Sequence, residues 1–234
     1  MELGPNLVRY SIRPSGASDE VVTIEVPLGL ERCDARDAAD PPEWARLEVE
    51  QCSCCPLSGD TPYCPAAVAL SGLMVHFGSL LSYAKVDATV ETGGRTIHAT
   101  VPVQKVLSSL LGLVMGTSGC PILAKFLPMA HFHLPFASTE ETTFRAVGAY
   151  LMAQYFAHRG GGTPDWDLDG LKTFYEDVHT INRAMVARLR GHFEGDAGVN
   201  AVAILDLFAH YLPLAVDEQL GELRPLFAAF NPEG

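Results

Sequence analysis

The sequence predicts an α+β fold in which a small amino-terminal antiparallel sheet of two hairpins packs on about five helices. Three observations predict this class: period-two alternation of apolar residues near the amino terminus, a Gly-Gly pair between two further strand-like segments, and helical apolar periodicity from Val103 onward. Hydrophobic residues make up 48% of the 234 residues, which is enough to bury a core. We expect a single domain over 1–234, with the strands and a cysteine-rich loop in about 1–101 and the helices in about 102–234.

Two pairs of strand-like segments form the predicted hairpins. Apolar residues alternate with polar ones in "LVRYSI" and in "VVTIEV", which gives each strand one apolar face. Those faces consist of Val8, Tyr10 and Ile12 in the first strand and of Val22, Ile24 and Val26 in the second. The segments "AKVDATVE" and "RTIHATV" flank Gly93 and Gly94, whose freedom to adopt positive φ angles suits a tight hairpin turn.

The region between the two hairpins contains a loop and a helix. From Cys33 to Asp60 it is acidic, contains prolines and lacks sustained periodicity, so something other than its own core must order it. Pro65 then begins an apolar helix, because proline is well tolerated at the first helical position. After the second hairpin, apolar residues recur at helical spacing from Val103, and Gly116 ends that helix.

Three further helices are expected in the carboxyl-terminal half. Ser138 and Glu141 form a capping-box pattern ahead of the first of them, and the glycines at 160–162 end it. Two more helices follow. We expect Pro213 to kink or break the last one, because proline lacks a backbone donor and its ring clashes with the preceding turn.

Charge and hydropathy narrow the classes of partner. The net charge of −12 disfavours nucleic acids and anionic membranes, because both are bound through Lys and Arg. The amino terminus has no basic patch followed by an apolar run, so we expect no secretory signal and a cytoplasmic location. The stretches "VLSSLLGLVMG" and "NAVAILDLFAHYLPLAV" look too short or too interrupted for a membrane span of roughly 20 residues. An unidentified protein or small molecule is the partner that remains.

The cysteines are the most distinctive feature of the sequence. Four of the six crowd into "CSCCPLSGDTPYC", and a fifth stands much later in "GTSGCP". In a reducing compartment such a cluster indicates metal binding or catalysis and argues against disulfides. Cys52, Cys55, Cys64 and Cys120 supply four thiolates for one metal ion, and Cys52-x-x-Cys55 has the spacing of a metal knuckle. Metal binding would supply folding free energy to a loop that has little apolar content.

Structural zinc in tetrahedral coordination is the occupant that we favour for these four cysteines. An iron–sulfur cluster stays open as an alternative, because its ligands are also cysteine thiolates. Ordinary thiols without a metal are the third interpretation. Cys54 would be a spare thiol in the zinc interpretation, and whether Cys54 or Cys33 takes part stays open.

Several segments resemble an uncharacterised bacterial family of unknown function: "QCSCCPL", "YCPAAVAL", "LLGLVMGTSGCPIL", "MAHFHLPFASTEETTFR" and "YLMAQYF". The resemblance extends over most of the chain, from the first strand to the late helices. It implies that Cys52, Cys55, Cys64 and Cys120 match the cysteines of that family. It implies no activity.

A pocket is expected around Cys120, His131 and His133. Backbone N–H groups in the turn "GTSGCP" suit a ligand or a developing oxyanion. On an extended segment the two histidines share a face, where they bind a metal together or one serves as base for a nucleophilic Cys120. The working hypothesis is therefore a metal-binding protein whose four-cysteine site supports this pocket. The alternatives are a cysteine-dependent enzyme and an iron–sulfur or redox protein.

Two weaker metal patterns lie in the carboxyl-terminal half. The segment "DWDLDGLKTFYE" matches calcium-loop spacing at Asp165, Asp167, Asp169, Gly170 and Glu176. We interpret it as a helix amino terminus, because no helix runs into the loop and Lys172 stands where an apolar residue is expected. Glu176-x-x-His179, with Asp206 and His210, has part of a di-iron pattern, but the further glutamates are missing and surface charges explain it.

Overall fold

The elements of the computed structural model follow the chain order that the sequence predicts. The structure describes residues 6–14, 21–28, 40–77 and 81–230, without the side chains of residues 14, 215 and 217–219. Cys33 and the loop of the first hairpin lie outside the described residues. The strands are β1 (Leu7–Pro14), β2 (Val22–Pro27), β3 (Lys85–Thr92) and β4 (Arg95–Pro102). The α-helices are α1 (Pro65–Phe77), α2 (Val103–Thr117), α3 (Leu127–His131), α4 (Thr139–Arg159), α5 (Asp169–Arg190) and α6 (Ala197–Leu223).

The four strands form one antiparallel sheet in the order β2-β1-β3-β4, in which β1 and β3 join the two predicted hairpins. Opposite residues share the predicted apolar side, and these pairs are Val8 with Val26, Tyr10 with Ile24, and Ile12 with Val22. Gly93 and Gly94 have φ angles of 53° and 78°, as the tight turn between β3 and β4 requires. The prediction of an α+β fold with a small antiparallel sheet is confirmed.

The two faces of the sheet have opposite character. Alternate residues of β1 and β3 are buried: Val8, Tyr10, Ile12, Val86, Ala88 and Val90. On the other face, Arg9 pairs with Glu25 at 2.8 Å and with Glu91 at 3.3 Å. This alternation is typical of an antiparallel sheet that packs on the core through one face only. The buried residues of the sheet and of the helices form one contiguous hydrophobic cluster.

The predicted helix boundaries are largely confirmed. Helix α1 begins at Pro65, as expected. The capping box is present at the start of α4, where Ser138 N donates to Glu141 Oε2 at 2.7 Å and Glu141 N donates to Ser138 Oγ at 3.1 Å. Of the kink or break that we expected at Pro213, the break is wrong, because α6 continues through this residue to Leu223. Contacts of α6 with both α2 and α5 stabilise the helix against the lost hydrogen bond.

The segment before α1 is ordered by a buried arginine of α5. It contains a short 3-10 turn at Glu43–Ala45 and otherwise turns and irregular backbone, as the sequence predicts. Arg188 donates from Nη1 to the carbonyl oxygen of Trp44 at 2.9 Å. It also donates to the carbonyl oxygens of Arg46 at 2.7 Å and Leu47 at 3.2 Å. The guanidinium of Arg188 therefore attaches the segment to α5 through hydrogen bonds to backbone carbonyl oxygens.

One helix of the described chain has the length and hydropathy of a membrane span. Residues Ala197–Leu214 of α6 have a mean hydropathy of 1.4 over 18 residues, and 39% of this window is buried within the structure. The stretch therefore meets length and hydropathy criteria that we expected it to miss. Core helices of globular proteins meet the same criteria, and α6 packs along α2 and α5.

Removing the Arg188 donors should destabilise the protein. In Arg188→Met the aliphatic part of the side chain is kept, while three carbonyl oxygens lose a charged donor. We expect the free energy of unfolding to fall by about 3 kcal/mol, measured by urea denaturation. Arg190→Met, at an exposed position of the same helix, is the matched control and should change it by less than about 0.5 kcal/mol. Equal losses in the two variants would contradict the role of Arg188.

Candidate functional site

A cavity of about 730 Å³ lies between α2, α5, α6 and the segment 123–145. Its walls are mainly apolar and include Leu113, Phe126, Val178, Leu205 and Phe208. Its polar lining includes Ser109, His133, Arg145, Asn182 and Lys105. Sites for small molecules commonly have about 300–1,000 Å³, apolar walls and a few placed polar groups. The cavity has these properties.

The exposed lining residues locate the opening of the cavity. Lys105 near the start of α2 is exposed, and Leu207 of α6 is 70% exposed. Both line the cavity, so it opens to solvent between α2 and α6. Deeper lining residues such as Asn182 and Ala209 are each 1% exposed.

A hydrogen-bonded chain joins the sheet to the wall of the cavity. The hydroxyl of Tyr10, on the buried face of β1, lies 2.6 Å from His133 Nε2 and 2.8 Å from Ser109 Oγ of α2. Ser109 Oγ also accepts from the backbone N–H of Phe136 at 3.3 Å. Burial raises the pKa of Tyr10, so its hydroxyl stays neutral. These contacts fix the position of His133 from three separate parts of the chain.

His133 is held in its neutral form. Burial, and secondarily the positive charge of Arg145, lower the pKa of His133 to about 3. A neutral imidazole has one donor and one acceptor nitrogen, and its Nε2 is engaged with the Tyr10 hydroxyl. His133 therefore serves as a fixed polar group of the wall.

Arg145 carries a positive charge into the lining of the cavity. One of its terminal nitrogens, Nη2, donates to the carbonyl oxygens of Met129 at 2.6 Å and Phe132 at 3.0 Å. Burial lowers its pKa from the usual range, although Tyr175 and Glu141 act in the opposite direction. In the part of the chain that the structure describes, no carboxylate lies within ion-pair distance of this guanidinium.

Asn182 of α5 is the second unusual polar group in the lining. It is 1% exposed, and its Nδ2 atom has no hydrogen-bond partner among the described residues. Buried polar atoms in folded proteins nearly always have a partner. The side-chain amide of Asn182 lines the cavity with its hydrogen bonding incomplete, and a hydroxyl group of a ligand can complete it.

The three predicted pocket residues have different environments in the structure. His131 ends α3 and is exposed, with its ring edge-on to Phe132 at 4.8 Å. His133 is buried, because the chain turns after α3 and does not continue as the extended segment that would put both histidines on one face. Cys120 is buried and is not among the lining residues, and none of its described interactions involves either histidine. Of the three, His133 lines the cavity.

The cysteines of the described chain do gather in one region. Cys52 interacts electrostatically with Cys54, Cys55 and Cys64, and Cys120 interacts with Cys64 and Cys55. All five are free thiols. Burial, followed by these neighbouring thiols, raises the pKa of Cys52. Within the described ranges, however, no three or more His, Cys, Asp or Glu side chains are arranged so that they could hold a metal ion.

Cys120 has the properties of a buried structural thiol. Burial raises its pKa, and the backbone N–H groups of Ile122 and Leu123 act on its sulfur in the opposite direction. Within the turn "GTSGCP" itself, the N–H of Ser118 donates to the carbonyl oxygen of Met115 and the N–H of Cys120 donates to Ser118 Oγ, each at 3.3 Å. A nucleophilic cysteine is typically exposed and has a lowered pKa.

The calcium-like segment is the amino terminus of α5. Asp165 Oδ2 accepts from the Tyr150 hydroxyl at 2.7 Å and from the backbone N–H of Gly170 at 2.8 Å. The carboxylate of Asp165 thus stabilises the start of the helix, in agreement with our interpretation of the aspartates.

Helices α5 and α6 bring together the residues of the partial di-iron pattern. His179 Nδ1 lies 2.7 Å from Asp206 Oδ1, and the rings of His179 and His210 are 5.4 Å apart. A hydrogen bond between neighbouring helices explains the pair of His179 and Asp206. Within the described part of the chain, neither this group nor any other cluster has the geometry to hold a metal ion.

Sequence reasoning missed most of the cavity. Arg145 gives no local signal, because an arginine on an amphipathic helix is ordinarily exposed. Periodicity contained a partial signal for Asn182: it falls in register with Tyr175 and Val178 on the apolar face of α5. A polar residue on an apolar face indicates a buried polar group.

Comparison with known proteins gives a family without an activity. A family model described as a domain of unknown function (DUF6901) matches residues 9–228. No curated protein and no solved structure matches the chain. The match covers most of the chain and confirms the expected resemblance to an uncharacterised family.

The neutral state of His133 predicts a dependence of stability on pH. The folded chain keeps His133 unprotonated down to about pH 3, whereas the unfolded chain protonates it near 6.5. The unfolded state therefore binds more protons between these values, and stability falls as the pH is lowered through this window. The contribution is up to about 1.4 kcal/mol per pH unit.

Urea denaturation of His133→Gln across the same pH range measures this contribution. A glutamine can still accept from the Tyr10 hydroxyl but does not titrate, so the slope of unfolding free energy against pH should be smaller than in the parent protein. His131→Gln, at the exposed neighbouring histidine, should keep the parent slope. An unchanged slope in His133→Gln would contradict a buried neutral histidine.

Proposed function

The chain belongs to the family described as a domain of unknown function (DUF6901), and from its geometry we propose that it binds a small molecule in the cavity between α2, α5 and α6. The cavity of about 730 Å³ is the observation that carries this proposal. A ligand there would bury apolar surface against Leu205 and Phe208 of α6.

The polar groups of the cavity favour binding over catalysis. His133 is the only histidine that lines the cavity among the described residues, and Tyr10 engages its Nε2 atom. A general base works best with a pKa near the working pH, and the pKa of His133 lies far below neutrality. The raised pKa of Cys120 likewise disfavours the cysteine-dependent enzyme. We therefore favour a non-catalytic ligand-binding protein.

Binding of an uncharged apolar dye tests the proposed function. N-phenylnaphthylamine fluoresces strongly in apolar surroundings, and we expect saturable binding of one dye per chain. Leu205→Trp should weaken binding about tenfold because the larger ring fills the cavity. Leu226→Trp is the control, since Leu226 is 73% exposed and lies outside the lining. Equal affinities in the two variants, or no saturable binding, would exclude the cavity as a ligand site.

A structural metal ion at the cysteines is the second function that we propose. The mutual interaction of Cys52, Cys55, Cys64 and Cys120 supports it, because Cys120 comes from a distant part of the chain yet shares one region with the other three. Grouped thiols raise one another's pKa, and a bound cation reverses this effect by stabilising thiolates. Zinc is the occupant we favour, with an iron–sulfur cluster as the alternative. Holding an ion requires the sulfur atoms to approach more closely than the described side chains do.

Metal content of single variants tests this second function. We expect about one zinc ion per purified chain by elemental analysis, and loss of zinc in the Ser variants of Cys52, Cys55, Cys64 and Cys120. Cys54→Ser is the matched control and should retain it, because the Cys54 thiol points to the carbonyl oxygen of Asp177 at 3.8 Å. Iron with visible absorption would identify the cluster instead. A metal-free protein of unchanged stability would exclude both.

A further inference from the structure

The charged residues that line the cavity differ in sign from the protein as a whole. The chain carries a net charge of −12, yet the charged lining residues in the described chain, Lys105 and Arg145, are both basic. Charges beside walls of low polarity are screened less than charges at the protein surface, so their electrostatic field is stronger. The cavity therefore favours an anion over a neutral or cationic molecule.

Arg145 provides a specific position for the anion. Its Nη2 atom is used by two carbonyl oxygens, whereas its Nε and Nη1 atoms have no hydrogen-bond partner among the described residues. Glu141 affects it electrostatically, but the Glu141 carboxylate accepts from the backbone N–H of Ser138. A planar guanidinium with free N–H groups matches the geometry of a carboxylate.

Asn182 provides a second polar position at a defined spacing. Tyr175, Val178 and Asn182 lie at i, i+3 and i+7 on one face of α5, and all three line the cavity. Arg145 interacts electrostatically with Tyr175, so it lies near that end of the face. Seven residues of helix separate Tyr175 from Asn182, which is about 10 Å along the axis. Between them the lining is apolar.

We propose that the cavity binds an amphipathic carboxylic acid whose carboxylate pairs with Arg145 and whose chain carries a hydroxyl group for the side-chain amide of Asn182. The apolar part of the ligand lies against Val178 and Leu205. An extended chain of ten carbon atoms has a comparable length, because its nine zigzag C–C bonds advance it by roughly 11 Å. This inference rests on the proposed ligand-binding function and adds the chemical class of the ligand.

Displacement of N-phenylnaphthylamine at neutral pH tests the class directly. The competitors are a ten-carbon ω-hydroxy carboxylic acid, decanoate, and the diol of the same length. We expect the hydroxy acid to compete about tenfold better than the diol, because the diol lacks the charge. It should also compete about fivefold better than decanoate, which leaves Asn182 without a partner.

Two variants assign these preferences to the two residues. Arg145→Gln should reduce the preference of hydroxy acid over diol to within about twofold, whereas Arg145→Lys should keep part of it. Asn182→Leu should remove the preference of hydroxy acid over decanoate while dye binding persists. Arg183→Gln, an exposed position on α5, is the control and should change neither ratio.

The outcomes separate this inference from the function on which it rests. If the dye binds but the diol competes as well as the hydroxy acid, the carboxylate class is wrong and the ligand-binding function stands. If the dye does not bind at all, the function itself fails. Should Arg145→Gln not fold, the three competitors on the parent protein and on Asn182→Leu still decide the question. An unchanged preference in a folded Arg145→Gln protein would overturn the role of Arg145.

Discussion

The buried guanidinium of Arg188 holds the cysteine segment in place against α5, and both candidate sites depend on that helix. The Arg188 guanidinium donates to carbonyl oxygens that lie 141 to 144 residues earlier in the chain. The same helix places Asn182 in the cavity wall and the carbonyl oxygen of Asp177 beside Cys54. Because a helix of 22 residues behaves as one rigid element, fixing its carboxyl-terminal end fixes the thiol region and the cavity relative to each other. The two sites are therefore built on one element.

The features that could be predicted from the sequence are those decided by near neighbours. Gly93 with Gly94 specifies a turn, and Ser138 with Glu141 specifies a helix start, because each depends on only a few adjacent residues. The contact of Tyr10 with His133 spans 123 residues, and no local pattern reports such a distance. The different environments of His131 and His133 were not predicted for a related reason. The prediction that they share a face required an extended backbone, whereas a helix ends at His131.

Arg188 also changes the argument for a metal ion. The sequence suggests that a polar segment needs an ion in order to fold, but the buried arginine and the packing of Trp44 against Phe193 at 5.6 Å supply part of that order. These contacts do not explain why the cysteine thiols lie so close together that they raise one another's pKa. Uncharged thiols pack acceptably as small apolar groups, so the crowding by itself is compatible with a metal-free fold. The case for an ion therefore depends on whether the sulfur atoms can approach one another without disturbing the Arg188 contacts.

Two kinds of polar group share the wall of the cavity, and their hydrogen bonding distinguishes them. Ser109 and His133 are both hydrogen-bonded to the hydroxyl of Tyr10 behind the wall, which makes them part of the fold. Arg145 and Asn182 lack partners for some of their donors among the described residues, although both are partly or fully buried. Unsatisfied buried donors cost stability, and a fold retains them chiefly where they serve a site. Arg145 and Asn182 face the same apolar cavity, although the net charge of the chain is negative. An anionic ligand that completes their hydrogen bonding explains this arrangement most simply.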